Sequence, residues 1–355
     1  MKTRKRSMIM LVLCIVLIAA LALSACNKPG GGGTISTANP PAETETPDTG
    51  TATEPAAAKY RFGQIAHDRA IEWVNYGVMN FEYACNEIGV EPVLVDAQNN
   101  MEKVLSGIED LLAQGVDAVS VYSFSPDLDM RVSQAARGAG IPIVFENAIP
   151  ADTVDRDGVV CCTYFDIGYA VANFIGDMYP GARFFYIMGQ PGMNITEPYI
   201  EGIEAAIADG ADCEMVGTAP TNWTAEEALN QTQNMLQSGI QIDVIFANNE
   251  QIAQGVLSAL EDVGKKGEIP VFATGGSPLG IEMLENGDLD ATMAAPTSFM
   301  GMMAAKMLAT LVTGGTVDAL INVPLTPATI DNIDEIVPWV PGPKVVEAVG
   351  GLPSL

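Results

Sequence analysis

Six short stretches carry the side chains whose types and spacing suit recognition of a small molecule. They are His67-Asp68-Arg69-Ala70 with Glu72-Trp73, Ser123-Phe124-Ser125, Glu146-Asn147-Ala148, Gly189-Gln190-Pro191-Gly192, Asn248-Asn249-Glu250 and Gly275-Gly276-Ser277. Amides, hydroxyls and aromatic rings dominate them. That mixture suits a neutral polar ligand, because aromatic faces pack on C–H surfaces while amides donate and accept in fixed directions. Asn147 and Asn249 read equally as loop and helix-cap residues, since Asn is favoured at turns and caps without any ligand. Trp73 and Trp223 read equally as core aromatics or as stacking surfaces.

Catalytic patterns do not emerge. The sequence has no Gly-x-Ser-x-Gly elbow, no phosphate-cradling Gly-rich loop with a following Lys and no His-Glu-x-x-His zinc helix. Gly189-x-x-Gly192 is an ordinary turn pattern. Asp68 and Glu72 form a carboxylate pair near His67, but solvated loop charges account for them in so acidic a chain. No nucleophile, base and orienter can be named together, so an enzyme is not expected. His67 is the only histidine, which leaves few ligands for a zinc site; neither metal nor cofactor is expected.

Each of these stretches must be positioned by an element before it. Strand-like apolar runs occur at Tyr60 to Ala66, Pro92 to Val95, Ala118 to Tyr122, Ile143 to Phe145, Phe184 to Met188, Val244 to Ala247 and Val271 to Ala273. Helix-period segments follow them; Val104, Leu105, Ile108, Leu111 and Leu112 recur at three- and four-residue steps and mark one helix face. Gly89, Gly115, Gly140, Gly239 and Gly264 sit where helices should stop. Repeated strand, loop and helix predict parallel sheets with right-handed crossovers, an α/β doubly wound architecture. In such sheets ligands bind beyond the carboxyl ends of the strands, which is where the six stretches lie.

The chain opens with Lys2, Arg4, Lys5 and Arg6, an apolar run from Met8 to Leu23, and then Ser24-Ala25-Cys26. This is the layout of a secretory signal peptide over residues 1–25. As a helix the apolar run reaches roughly 24 Å, short of a hydrocarbon core of roughly 30 Å, so cleavage is expected over an uncleaved span. Leu23-Ser24-Ala25-Cys26 resembles a bacterial lipobox, which implies that Cys26 is acylated and that the protein is extracytoplasmic and lipid-anchored to the bacterial cell membrane. Residues 26–58, rich in Gly, Thr, Pro, Ala and Glu, read as a tether unable to bury a core. The remaining residues, about 300, allow two medium domains.

Formal net charge is −27, and residues 1–25 hold four of the positive charges and none of the negative, so the rest stands at −31. Such a surface repels phosphate backbones, and no nucleic-acid partner is expected. Cys85, Cys161, Cys162 and Cys213 remain after Cys14 in the leader and Cys26. Val159-Val160-Cys161-Cys162 reads as a strand in which adjacent thiols face opposite sides. These cysteines are either inert core thiols or, at 161–162, a vicinal disulfide or metal site.

From Tyr60 to Asp334 the chain resembles the type 1 periplasmic sugar-binding proteins, the ribose and galactose importer group. The resemblance rests on Asp96-Ala97-Gln98-Asn99-Asn100, Ile108 to Ala118, Ala139-Gly140-Ile141-Pro142-Ile143-Val144, Val244 to Glu250 with Ala253 and Gly255, and Glu285 to Thr292, in that order. It implies two doubly wound lobes joined by three crossing segments, near Cys162-Thr163, Ala295-Pro296 and Asn322-Val323. One lobe takes residues 59–162 plus 296–322, the other 163–295 plus 323–340, and residues 341–355 form a C-terminal tail. It also implies a monomer that binds a small solute between the lobes and presents the closed form to the permease subunits of an ABC importer. A sensor feeding a chemoreceptor or histidine kinase shares the fold. A repressor core does as well, but the export signal and the lack of a basic helix-turn-helix segment argue against it.

The departures bear on the ligand. Sugar binders of this group place Asp-Arg where Asn147-Ala148 stands, Arg where Tyr199 and Ala225 stand, Asp at Gly275 and Gln at Ala295. Asn249, Trp73 and Trp223 keep the family's residue types. The missing charged groups are those that pair with sugar hydroxyls, contacts worth roughly 1.5–3 kcal/mol each when charge-assisted. The expected ligand-binding set is therefore His67, Asp68, Arg69, Trp73, Glu146, Asn147, Tyr199, Trp223, Asn249 and Gly275, reading a sugar by new contacts or a non-sugar solute such as a nucleoside or aromatic compound.

Overall fold

The computed structural model describes residues 59–355 apart from 124, 193 and 194. The leader (1–25), Cys26 with the tether (26–58) and Phe124 lie outside the described residues. Among the described residues are twelve strands and ten α-helices, largely in alternation: β1 (Arg61–Ala66), α1 (Glu72–Glu87), β2 (Glu91–Asp96), α2 (Met101–Ala113), β3 (Ala118–Tyr122), α3 (Pro126–Ala139), β4 (Ile143–Asn147) and β5 (Gly158–Cys161) build the first half. Then come α4 (Tyr164–Met178), β6 (Ala182–Met188), α5 (Thr196–Ala208), β7 (Cys213–Pro220), α6 (Ala225–Gln237), β8 (Val244–Ala247), α7 (Glu250–Asp262), β9 (Val271–Gly275), α8 (Pro278–Glu285) and β10 (Ala291–Ala294). The chain ends with α9 (Thr297–Val312), β11 (Leu320–Asn322), β12 (Thr326–Ala328) and α10 (Pro343–Ala348).

The strands form two six-stranded sheets, ordered β11-β5-β4-β3-β1-β2 and β12-β10-β9-β8-β6-β7. All pairings are parallel except β10 with β12, a three-residue antiparallel edge containing Pro327. Proline cannot donate to a ladder, so an edge is the place that tolerates it. The central strands are apolar on both faces because helices cover both sides, and β3, β4 and β8 are buried almost throughout. Each expected helix stop falls one or two residues past a helix. Gly140 gives the reason: its φ of +73° is a left-handed closure that a side chain disfavours.

The lobes repeat one packing device. In the first, α1 crosses α9 where Gly77 meets Gly301, and a Cβ on Gly301 would overlap the Gly77 carbonyl. In the second, α4 crosses α5 where Gly168 faces the Tyr199 carbonyl and Gly202 faces the Phe165 carbonyl, again with no room for a Cβ.

Helix α9 packs over β3, β4 and β5, while α4 packs against the second sheet, so the chain passes between lobes after β5, after β10 and after β11. It passes once more after β12. The stretch expected as a tail contains α10, which packs on α9, where Val345 and Val349 are buried and Lys306 Nζ donates to the Val349 carbonyl at 2.5 Å.

Cys85, Cys161, Cys162 and Cys213 are free, buried thiols. Cys161 faces the core under α2 and α3, and Cys162 the core on the opposite side. Desolvation pushes the Cys161 thiol up to about 11, which keeps it protonated and unreactive at neutral pH.

Candidate functional site

The carboxyl ends of the two sheets are joined by a short aromatic bridge. The Tyr164 hydroxyl, at the start of α4, donates to Asn147 Oδ1 at the end of β4, 3.1 Å away. The Tyr164 ring stacks on Tyr199 of α5 with centroids 5.8 Å apart and 25° between planes. The Tyr199 hydroxyl then meets Thr274 Oγ1, near the end of β9, at 3.1 Å. Burial raises both phenol pKa values, so each hydroxyl keeps its proton for these bonds.

At the first sheet, His67, Asp68 and Arg69 follow β1. The His67 ring lies 5.7 Å from the Tyr122 ring, and burial lowers its pKa against the opposing pull of Asp68 and Asp96, which favours neutral imidazole. Asp68 Oδ1 accepts from the Ala70 amide and so shapes the turn. Arg69 Nε donates to Asn75 Oδ1 on α1, which ties the guanidinium to its own lobe. Glu146 lies on β4 with Gln64 Nε2 at 2.8 Å and Ser120 Oγ at 2.5 Å, both donating to Oε1. Desolvation outweighs those two bonds and lifts its carboxyl to about 7.

Asn147 has φ +76°, a left-handed conformation rare outside glycine. Trp223, after β7, has φ +65°, and for a bulky residue this is stored strain of the kind that collects at binding sites. Its ring covers Gly189 at the end of β6 so closely that a Cβ there would sit inside the ring. The first sheet also carries Gln98 (φ +52°) and Asn99 (φ +53°) just beyond β2, so left-handed residues stand at the mouths of both sheets.

The second sheet carries its own buried carboxyl. Glu250 accepts from the Gly276 amide at 2.6 Å and from Thr292 Oγ1 at 2.8 Å, and desolvation lifts it to about 7. Its carboxylate fills the space where Gly275 and Gly280 would carry a Cβ, which is why that loop is built from glycine. Asn249 caps α7, its Oδ1 accepting from the Ile252 amide at 2.8 Å. The cap engages only the oxygen.

Of the expected set, Asn147 and Tyr199 belong to the bridge, and Trp223 and Gly275 stand at the second mouth. Glu146 is buried beneath the first mouth and supports its neighbours. Trp73 turns its ring edge-on to Trp339 (5.3 Å, 84°). Tyr164 and Trp339 lie outside the six stretches, and Glu250 lies within one of them but outside the expected ligand-binding set. Tyr164 directly follows the first crossing, which was a usable signal. Among the described residues, no group of three or more His, Cys, Asp or Glu could hold a metal ion, and no helix is long and apolar enough to cross a membrane.

Residues 62–316 match the family described as periplasmic binding protein domain. Curated relatives include a ribose import binding protein of Bacillus subtilis (strain 168), 28% identical over 67% of this chain and 76% of the relative. A putative rhizopine-binding protein of Rhizobium meliloti is 26% identical over 72% and 84%. Among solved structures, an ABC transporter periplasmic solute binding protein from Actinobacillus succinogenes 130z with bound D-allose has the same fold. It aligns at TM-score 0.71 and 22% identity over 78% of this chain and all of that one. A solute binding protein from Bacillus halodurans C-125 with bound myo-inositol aligns at TM-score 0.69 and 23% identity, over 79% and 97%.

Proposed function

The chain belongs to the periplasmic binding protein domain family, and on that premise we propose that it is an extracytoplasmic solute-binding lipoprotein of an ABC importer. It takes a small polar solute, a sugar or a sugar-like polyol, between its lobes and presents the closed form to the membrane permease. Acylated Cys26 anchors it, with 26–58 as the tether. Residues 59–162 with 296–322 move against 163–295 with 323–340, and solute shifts the balance of open and closed forms.

The observation that carries this reading is the Asn147, Tyr164, Tyr199 and Thr274 bridge, because it brings the carboxyl ends of two parallel sheets to one place, where open α/β sheets bind ligands. His67, Asp68, Arg69 and Asn147 supply polar contacts from one side. Trp223 supplies a flat face from the other, and Asn249 its amide nitrogen. The relatives named for ribose and the structures holding D-allose or myo-inositol support a polyol.

A more aromatic solute such as a nucleoside is the second reading, favoured by Tyr199, stacked on Tyr164, where the family resemblance implies an arginine. Native mass spectrometry of protein purified from its own cells separates the two. Retained mass of a hexose, pentose or cyclitol supports the first, and a nucleoside mass overturns it. For the anchor, Cys26→Ser should move the protein from membranes to the soluble fraction; continued attachment after washing contradicts acylation at Cys26.

A further inference from the structure

The last passage of the chain between lobes is built as a stiff strap. Residues 337–343 read Val-Pro-Trp-Val-Pro-Gly-Pro, and Pro338, Pro341 and Pro343 fix φ at three of the seven positions and leave little slack. Just before it, Ile336 is buried against Ala294 and Ala328 of the second sheet. Beyond it, α10 lies on α9 of the first lobe.

Trp339 pins this strap to both lobes. Its indole Nε1 donates to the Gly275 carbonyl at the end of β9, at 3.0 Å. Its own carbonyl accepts from Asn80 Nδ2 of α1 at 2.8 Å, and Ser298 Oγ of α9 donates to the Pro338 carbonyl at 2.7 Å. The indole also meets Trp73 and Tyr76 of α1 edge-on, at 5.3 and 5.8 Å. Trp339 is 5% exposed, so these bonds are made in a dry interface where they are strong.

The same interface leaves Trp73 Nε1 and Asn80 Oδ1 buried without a partner. Polar atoms buried unpaired are unfavourable, so the contact is well aimed yet poorly satisfied, as suits a junction that parts. Trp339 also lies beyond the stretch 62–316 that matches the family.

We infer that Trp339 is a positioning residue that couples the lobe angle to the binding mouth, holding the Gly275 end of β9 in register with α1 and restricting how far the lobes separate. The inference rests on the reading that solute binds between the mouths. Trp339 acts through Gly275 and Trp73 and need not touch the solute.

Trp339→Phe keeps an aromatic ring against Trp73 and Tyr76 and removes the N–H that reaches Gly275 together with the packing of one of the two fused rings. The test is pulsed dipolar spectroscopy on the full chain, spin-labelled through Glu109→Cys on α2 and Asn230→Cys on α6, both exposed, with the four native thiols of the described residues buried. Without solute, Trp339→Phe is expected to broaden the inter-label distances and add a population absent from the wild type. Loss of one such bond should change the ratio of lobe arrangements by about two- to tenfold. Identical distributions overturn the inference, as does a lowered Tm with no change in distance, which marks a purely structural tryptophan.

Should Trp339→Phe fail to fold, Ser298→Ala removes only the hydroxyl on Pro338, and the same criterion applies to a smaller shift. Titration with ribose, allose and myo-inositol forms a separate arm, in which Trp339→Phe should change affinity for whichever of them binds. A wild type that binds none while Trp339→Phe still broadens the distances supports the strap and counts against the polyol reading.

Discussion

The two mouths sit on nearly the same scaffold and are furnished in opposite ways. Both sheets are six-stranded, both lobes hold a helix crossing so tight that glycine is required, and both bury a carboxyl lifted to about 7. At the first mouth Glu146 is held by side chains, Gln64 and Ser120, and the rim is polar: His67, Asp68, Arg69, Asn147. At the second mouth Glu250 is held largely by backbone amides, and the rim is glycine and ring: Gly189, Trp223, Gly275. One side offers directional hydrogen bonds and the other a flat surface to pack on, with the Asn249 amide beside it. On the proposed function, recognition divided in this way would need both lobes and would tie binding to closure.

The comparison breaks first, and most severely, at the helix crossings. Gly202→Ala and Gly301→Ala each force a methyl into a backbone carbonyl of the facing helix, so each should destabilise by about 3 kcal/mol or more in urea unfolding. Equal losses in both lobes fit the shared device; a large loss in one alone shows that the crossings are not equivalent.

The buried carboxyls come next. Each is raised in the fold above the usual carboxylate value of 4.5, so its contribution to stability is fully present below that value and is lost as pH rises through about 7. Glu146→Gln and Glu250→Gln should each flatten the decline in stability between pH 5 and 8, by up to roughly 3 kcal/mol for one group. An unaltered pH profile contradicts the assignment of that carboxyl.

The rims give smaller, more diagnostic effects. Trp223→Ala should weaken binding of a bound polyol by about 1–3 kcal/mol with little change in Tm, and Gly189→Ala should follow it by displacing the ring. A fall in Tm with unchanged affinity makes Trp223 a core residue. Smallest is the stability change at Asn249. Asn249→Ala should lose about 1 kcal/mol with the cap, whereas Asn249→Asp keeps the capping oxygen and should lose affinity alone.

The fold was largely legible because its central strands announce themselves. Ala118–Tyr122 and Val244–Ala247 match the expected runs residue for residue, since strands covered on both faces are continuous apolar runs. Strand β7 escaped notice because it is an edge, with exposed Glu214 breaking the pattern, and β11 and β12 are too short to show a period. The site was legible in its loops and opaque in its pairings. Glu250 stood in a recognised stretch, yet nothing in one dimension places it under Gly275 and Gly280. Trp339 had a signal, a lone indole between prolines, but its partners Asn80 and Gly275 lie 259 and 64 residues away.

The central claim is that one small polyol binds where the two mouths meet. Isothermal titration of the mature protein with ribose, allose and myo-inositol tests it most directly when paired with Asn147→Ala, which removes the amide at the first mouth and the Tyr164 bond across to the second. The account predicts one-to-one binding of at least one of these solutes, weakened at least tenfold by the substitution. Binding that Asn147→Ala leaves untouched, or no binding by any of the three from protein that carries no solute of its own, contradicts it.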